Sequence, residues 1–167
     1  MIDSVHWPQF VAKPVLYSLI FGDRQLMPSV VSDKTLIRSA VLGAAGYSGA
    51  ELCALLTRNP YFELCFAYAS AGRKAEPFSS LYPRFQQQVD VLVEPWTDDE
   101  IGRITGKVDV AFLALPHEAS EEVAPKLMAA GIVVVDLSGA FRLKDPDLYP
   151  KYYGYAHQHP ELINEAV

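Results

Sequence analysis

Leu36-Ile-Arg-Ser-Ala-Val-Leu, Gly43-Ala-Ala-Gly-Tyr-Ser-Gly49 and Ala50-Glu-Leu-Cys-Ala-Leu-Leu-Thr-Arg58 follow one another without a break. The first segment is an apolar run short enough for one strand. It feeds a glycine turn, and the turn opens into a helical pattern that sets Leu52, Leu55 and Leu56 on one face. Strand, glycine turn and helix in that order make a phosphate-binding loop. Gly43 is expected to allow the tight turn, Gly46 to let a pyrophosphate approach the backbone, and Gly49 to let the helix pack close to the strand. Free N–H groups of Ala45, Tyr47 and Ser48 around the helix start would help hold the anion. The spacing is GxxGxxG rather than the commoner GxGxxG, so the flanking strand and helix decide the reading. The alternative is a plain strand-to-helix turn.

The chain has 167 residues, half of them hydrophobic, which is enough for one domain with a sizeable core and excludes general disorder. A net charge of −6 argues against a nucleic-acid surface, which would be basic. The two cysteines, Cys53 and Cys65, fall in an apparent helix and strand and read as buried thiols of a reducing compartment. No apolar run is long enough to span a bilayer, and residues 1–34 lack the pattern of a secretion signal. A cytoplasmic protein without a membrane or nucleic-acid partner is expected. Residues 1–34 are interrupted by Pro8 and Pro14 and show no period. They read as an irregular extension, or as translation from upstream of a start at Met27; an oligomer arm or targeting peptide is the alternative.

Residues 35–167 read as alternating strands and helices. Strands are expected at Ile37–Leu42, Phe62–Ala69, Val89–Val93, Val108–Leu115 and Ile132–Asp136. The first helix spans Tyr47–Arg58 and stops at Asn59-Pro60. A capping box at Thr97-Asp98-Asp99-Glu100 starts a short helix that Gly106 ends. Ser120 caps a further helix that Gly131 stops. The fold class is therefore α/β, a Rossmann-type, doubly wound parallel sheet. Ligands of such sheets sit beyond the carboxyl ends of the strands. That rule gathers Gly43–Gly49, Ser70–Lys74, Leu115–Glu118 and Leu137–Arg142 around one crevice, with Leu115, Pro116 and His117 at the cofactor.

Cofactor choice is read at the end of the second strand. NAD-selective domains place a carboxylate there for the ribose 2′-hydroxyl. Here the end offers Ser70, Arg73 and Lys74, and Glu63 lies at the strand's start. A hydroxyl and two cations suit a 2′-phosphate, so NADP is the expected cofactor; a solvated basic turn is the alternative. His117 would line the cofactor site or act as an acid–base group. Arg142 would bind an anion or form a structural ion pair. His157, His159 and Glu161 are metal ligands by type, but no matching cluster accompanies them and no metal is expected.

Four segments together resemble a known family. They are Gly43-Ala-Ala-Gly-Tyr-Ser-Gly-Ala-Glu-Leu52, Phe112-Leu-Ala-Leu-Pro-His-Glu-Ala-Ser120, Val135-Asp-Leu-Ser-Gly-Ala-Phe-Arg-Leu143 and Lys151-Tyr-Tyr-Gly-Tyr-Ala-His-Gln-His-Pro-Glu-Leu162. The family is N-acetyl-gamma-glutamyl-phosphate reductase, of arginine biosynthesis, and the resemblance runs over residues 36–167. It implies NADPH-dependent reduction of an acyl phosphate to a semialdehyde, with Ser138, Gly139 and Arg142 at the substrate phosphate, and a homo-oligomer when complete. The relatives' nucleophile is a cysteine in a Pro-Gly-Cys-Tyr-type turn, and their acid–base group a histidine further on. Neither Cys53 nor Cys65 sits in such a turn, and His117, His157 and His159 do not match the histidine motif. The resemblance therefore implies a fragment that supplies the cofactor-binding part, without catalytic residues and without the substrate domain.

Overall fold

Along the first strand, β1 (Ile37–Leu42), successive side chains leave to opposite faces of the sheet, and both faces are covered. Val41 joins one apolar cluster; Ala40 and Leu42 join another. The same alternation recurs in β2 (Phe62–Ala69), where Ala67 and Ala69 oppose Tyr68, and in β5 (Val110–Leu113), where Val110 and Phe112 oppose Ala111 and Leu113. A strand buried on both faces needs an unbroken apolar run, which is the pattern these segments carry. The computed structural model describes residues 36–166, and the reading of residues 1–34 lies outside them.

The remaining elements are α1 (Tyr47–Arg58), β3 (Glu76–Pro77), α2 (Phe78–Leu81), β4 (Leu92–Pro95), α3 (Asp99–Ile104), α4 (His117–Ala129), β6 (Val133–Asp136), α5 (Tyr149–Tyr152) and α6 (Pro160–Ile163). The sheet order is β3-β4-β2-β1-β5-β6. All pairs are parallel except the short edge strand β3, which runs antiparallel to β4. Helix α1 packs on one face, and α3 and α4 on the other. This is the doubly wound Rossmann-like sheet, with an antiparallel edge that the sequence reading did not include.

Several local expectations need correction. The third expected strand, Val89–Val93, is displaced: β4 runs from Leu92 to Pro95, and Val89 is a buried core residue that donates its N–H to Phe85. The capping box does not form. Helix α3 starts after Asp98 without a side-chain cap, and the Glu100 carboxylate instead accepts the Tyr68 hydroxyl at 2.8 Å. Ser120 does not cap α4, which begins three residues earlier behind Pro116. Pro116 has the extended backbone (φ −57°, ψ 156°) that a residue entering a helix adopts, and Ser120 is buried inside the helix. Leu55 is 57% exposed rather than inward. The buried stripe of α1 is Gly49, Ala50, Cys53, Ala54 and Leu56, because a helix lying this close to a sheet needs small residues. The glycine stops hold: Gly106 and Gly131 both take positive φ, where a side chain is strained.

Candidate functional site

The chain fills one half of the sheet from β1 to β4 and then crosses to β5 on the other side of β1, and the glycine turn sits at that switch point between β1 and β5. Gly43 has φ +90°, and a Cβ there would lie 2.8 Å from the Ala114 carbonyl carbon. The loops that follow β1 and β5 thus touch backbone to backbone, and Leu115 closes the same contact from its side chain. A Cβ on Gly49 would lie 2.7 Å from the Gly43 carbonyl carbon. Gly43 and Gly49 therefore both serve close packing, and Gly43 also serves the turn.

Gly46 behaves differently. It is exposed, it caps α1 with extended backbone, and among the described residues a Cβ there meets only the Gly43 oxygen at 3.3 Å. Its N–H turns inward to that oxygen at 2.9 Å. The first bond inside α1 comes from Ala50 to Gly46. Among the described residues, no hydrogen bond reaches the N–H groups of Tyr47, Ser48 or Gly49, and α1 has neither a side-chain cap nor an acid in its first turn. These donors and the helix dipole leave a cradle suited to an anion. Tyr82 braces the turn from behind by donating its hydroxyl to the Ala45 carbonyl at 2.8 Å. Tyr82 belongs to an aromatic group with Phe78 and Phe85 that covers α1, and Arg84 adds an ion pair to Glu51.

The end of β2 lies next to the glycine turn, since the Tyr68 carbonyl accepts the N–H groups of Gly43 (2.9 Å) and Ala44 (2.8 Å). Ser70, Arg73 and Lys74 follow it and are all exposed. Arg73 is not idle: its guanidinium pairs with Glu76 at 3.1 Å. The pair is exposed on both sides, so it is worth at most about 1 kcal/mol and yields readily to a phosphate.

The loops after β5 and β6 are joined by His117. Its Nδ1 accepts the Gly139 N–H at 2.9 Å, which requires the proton of the neutral ring to sit on Nε2. Tyr153 packs edge-on against the His117 ring, and a Cβ on Gly139 would lie 2.7 Å from the Tyr153 ring carbon Cζ. Gly139 is required here because the tyrosine ring takes the space of a side chain. Asp136 organises the start of the turn, accepting Ser138 N–H at 3.0 Å and Ser138 Oγ–H at 2.7 Å. Arg142 is exposed and donates to the Ser138 carbonyl at 3.1 Å. Among the described residues it makes no ion pair, with Asp136, Asp145 or any other acid.

The cysteines are poor nucleophiles. Burial pushes the Cys53 thiol up to about 12, and the half-buried Cys65 thiol is raised mainly by desolvation. The His157 side chain is buried with both ring nitrogens engaged, while His159 pairs with Glu161 at 3.2 Å. No group of three metal-ligating side chains occurs among the described residues. Sequence reading gives no role to Tyr82 or Glu76, and shows neither the contact of Tyr153 with Gly139 nor the burial of the His157 side chain. Only the first had a readable signal: Phe78, Tyr82 and Phe85 follow helical spacing.

A Rossmann-like sheet with a glycine turn and an open helix start at its switch point is the framework of a dinucleotide-binding domain. Residues 38–166 match the family described as "Semialdehyde dehydrogenase, NAD binding domain", and the chain belongs to that family of oxidoreductase domains. The chain is similar to the N-acetyl-gamma-glutamyl-phosphate reductases of Aeromonas salmonicida and Escherichia coli K12, each 41% identical over 134 residues. Those alignments take in 79% of this chain and 40% of each relative, so the chain spans well under half the length of these relatives. A structure of aspartate semialdehyde dehydrogenase with NADP from Candida albicans superposes with a TM-score of 0.51 at 22% identity, over 67% of this chain and 32% of that one. That likeness shows the fold. No helix of the described residues is long and apolar enough to cross a membrane.

Proposed function

We propose that this chain is the NADP(H)-binding part of an N-acetyl-gamma-glutamyl-phosphate reductase. The observation that carries the reading is the open, uncapped start of α1 at the switch point, with the loops after β2, β5 and β6 arranged around it. In this reading the N–H groups of Tyr47, Ser48 and Gly49 hold the cofactor pyrophosphate, with Gly43, Ala45 and Gly46 shaping the turn. Ser70, Arg73 and Lys74 hold a 2′-phosphate. Leu115, Pro116 and His117 line the nicotinamide side of the crevice. Ser138, Gly139 and the exposed Arg142 receive the acyl phosphate of a small substrate, which a planar guanidinium grips with paired hydrogen bonds. The bound nicotinamide supplies hydride, and the chain's own residues bind and orient. The enzyme is cytoplasmic, acts as a homo-oligomer and uses a cysteine and a histidine from outside this chain.

The test is phosphate-dependent reduction of NADP by the complete enzyme, with N-acetylglutamate 5-semialdehyde and aspartate 4-semialdehyde as rival substrates. The acetylated substrate is expected to be preferred, and the chain alone is expected to be inactive. Preference for aspartate 4-semialdehyde would move the chain to the sister activity.

The Arg73–Glu76 pair adds a cofactor prediction. A 2′-phosphate must draw Arg73 away from Glu76, so Glu76→Gln is expected to tighten NADPH binding by about two- to fivefold and leave NADH unchanged. Arg73→Ala is expected to weaken NADPH by roughly tenfold, again sparing NADH. Titration of cofactor fluorescence measures both. Parallel changes for the two cofactors would remove Arg73 from the 2′-phosphate site.

A further inference from the structure

The turn after β6 is held by imidazoles on consecutive backbone groups. His117 takes the Gly139 N–H, and His157 Nε2 lies 2.8 Å from the Ala140 carbonyl oxygen. A carbonyl only accepts, so Nε2 of His157 carries a proton and donates it. That bond survives in either charge state of the ring, because both the Nε2–H tautomer and the imidazolium donate there.

The His157 side chain has 0% exposure. Its ring stands edge-on between Phe141 (5.2 Å) and Tyr149 (4.6 Å). The His159 N–H donates to its Nδ1 at 3.1 Å, and the buried Glu121 carboxylate lies 3.2 Å from the same atom while accepting the Gln158 N–H. Tyr149 is also fully buried, and its hydroxyl accepts the Leu143 N–H at 3.1 Å. The segment from Tyr149 to His159 therefore grips the backbone on both sides of Arg142, whose own side chain stays exposed.

We propose that His157 is a positioning residue for the anion-binding turn: through the Ala140 carbonyl it fixes the backbone that aims Arg142 at a phosphoryl group. The inference rests on the proposed role of Arg142 in holding the acyl phosphate. An arginine on a loose turn must order its own backbone each time an anion binds, and that cost is taken from affinity. A turn already fixed at Gly139, Ala140 and Leu143 avoids most of it. Burying a polar ring where a leucine would pack is costly unless its hydrogen bonds matter, and the shortest polar contact of the His157 ring, at 2.8 Å, is to this turn.

The experiment titrates inorganic phosphate into the 15N-labelled chain, following Arg142 Nε and the Gly139–Leu143 amides, with NADPH affinity and melting measured alongside. In the native chain phosphate should shift Arg142 Nε, and the imidazole spectrum should show a protonated Nε2 at His157 across neutral pH. His157→Ala is expected to weaken phosphate by about fivefold or more while NADPH stays within about twofold, because only the turn loses its fixed shape. His157→Gln, whose amide reaches the Nε2 position, should recover most of the loss. Should His157→Ala not fold, His157→Asn takes its place, since its amide stops at the Nδ1 position and cannot reach Ala140. Unchanged phosphate affinity in a folded His157→Ala or His157→Asn overturns the proposal. So does an equal fall in phosphate and NADPH affinity that glutamine does not rescue, which is the mark of general loosening. If phosphate leaves Arg142 Nε unmoved in the native chain while NADPH still binds, the phosphate role of Arg142 is itself wrong, and the inference falls with it.

Discussion

Gly43→Ala is expected to destabilise the domain by about 2–6 kcal/mol, the sum of about 1–3 for a side chain at positive φ and about 1–3 for overpacking. The backbone there has φ +90°, and the added Cβ would lie 2.8 Å from the Ala114 carbonyl carbon, with the carbonyl oxygen closer still. Neither neighbour is a flexible side chain. Relief would require β1 and β5 to part, and they are central strands of the sheet. A domain of this size has about 5–15 kcal/mol in total, so the change takes a large share of it. Two companion variants separate the causes. Gly106 has φ +74° and no described residue within 4 Å of a Cβ, so Gly106→Ala isolates the backbone cost at about 1 kcal/mol. Gly49 lies in α1 with helical backbone, but a Cβ would run into the Gly43 carbonyl, so Gly49→Ala isolates the clash. Urea unfolding of the three variants gives the comparison. A Gly43→Ala midpoint no lower than that of Gly106→Ala would show that the strands tolerate the methyl, and the close approach would lose its importance.

The same contrast explains what could be read in advance. Strand β1, helix α1 and strand β2 fall on their expected bounds because their signals are local: an apolar run, three spaced glycines, and Asn59-Pro60 at the stop. Residues 75–88 read from sequence only as a polar, proline-bearing excursion, and their fold is set by contacts distant in sequence. Phe78 pairs with the Val91 carbonyl, and Tyr82 with Ala45. The burial of the His157 side chain was hidden for the same reason: its carbonyl partner belongs to the turn after β6, and its other neighbour, Glu121, lies on α4. Composition marks a histidine and a glutamate as polar surface residues. Only packing shows that they are interior groups facing each other. Sequence places Gly139 in the turn, but the reason for a glycine, the Tyr153 ring on its Cβ position, is a contact distant along the chain.

Gly46→Val is expected to abolish cofactor binding while the domain still folds, reversing the balance seen at Gly43. Among the described residues a Cβ at Gly46 has the Gly43 oxygen at 3.3 Å as its only close neighbour, and the backbone is extended at φ −90°, which a branched residue accepts. The stability cost is therefore that of a poor helix cap, about 1 kcal/mol. The binding cost is larger, because the isopropyl group would stand over the N–H groups of Tyr47, Ser48 and Gly49. A pyrophosphate denied those donors loses charge-assisted bonds of about 1.5–3 kcal/mol each. Losing two of them corresponds to at least a hundredfold in affinity, since about 1.4 kcal/mol is tenfold. NADH should suffer as much as NADPH, because both share the pyrophosphate, whereas Arg73→Ala should affect only NADPH. Fluorescence titration of both cofactors, with a melting curve to certify folding, distinguishes the sites. A folded Gly46→Val chain that binds either cofactor with undiminished affinity would place the pyrophosphate elsewhere and leave the glycine turn a purely structural connection between β1 and α1.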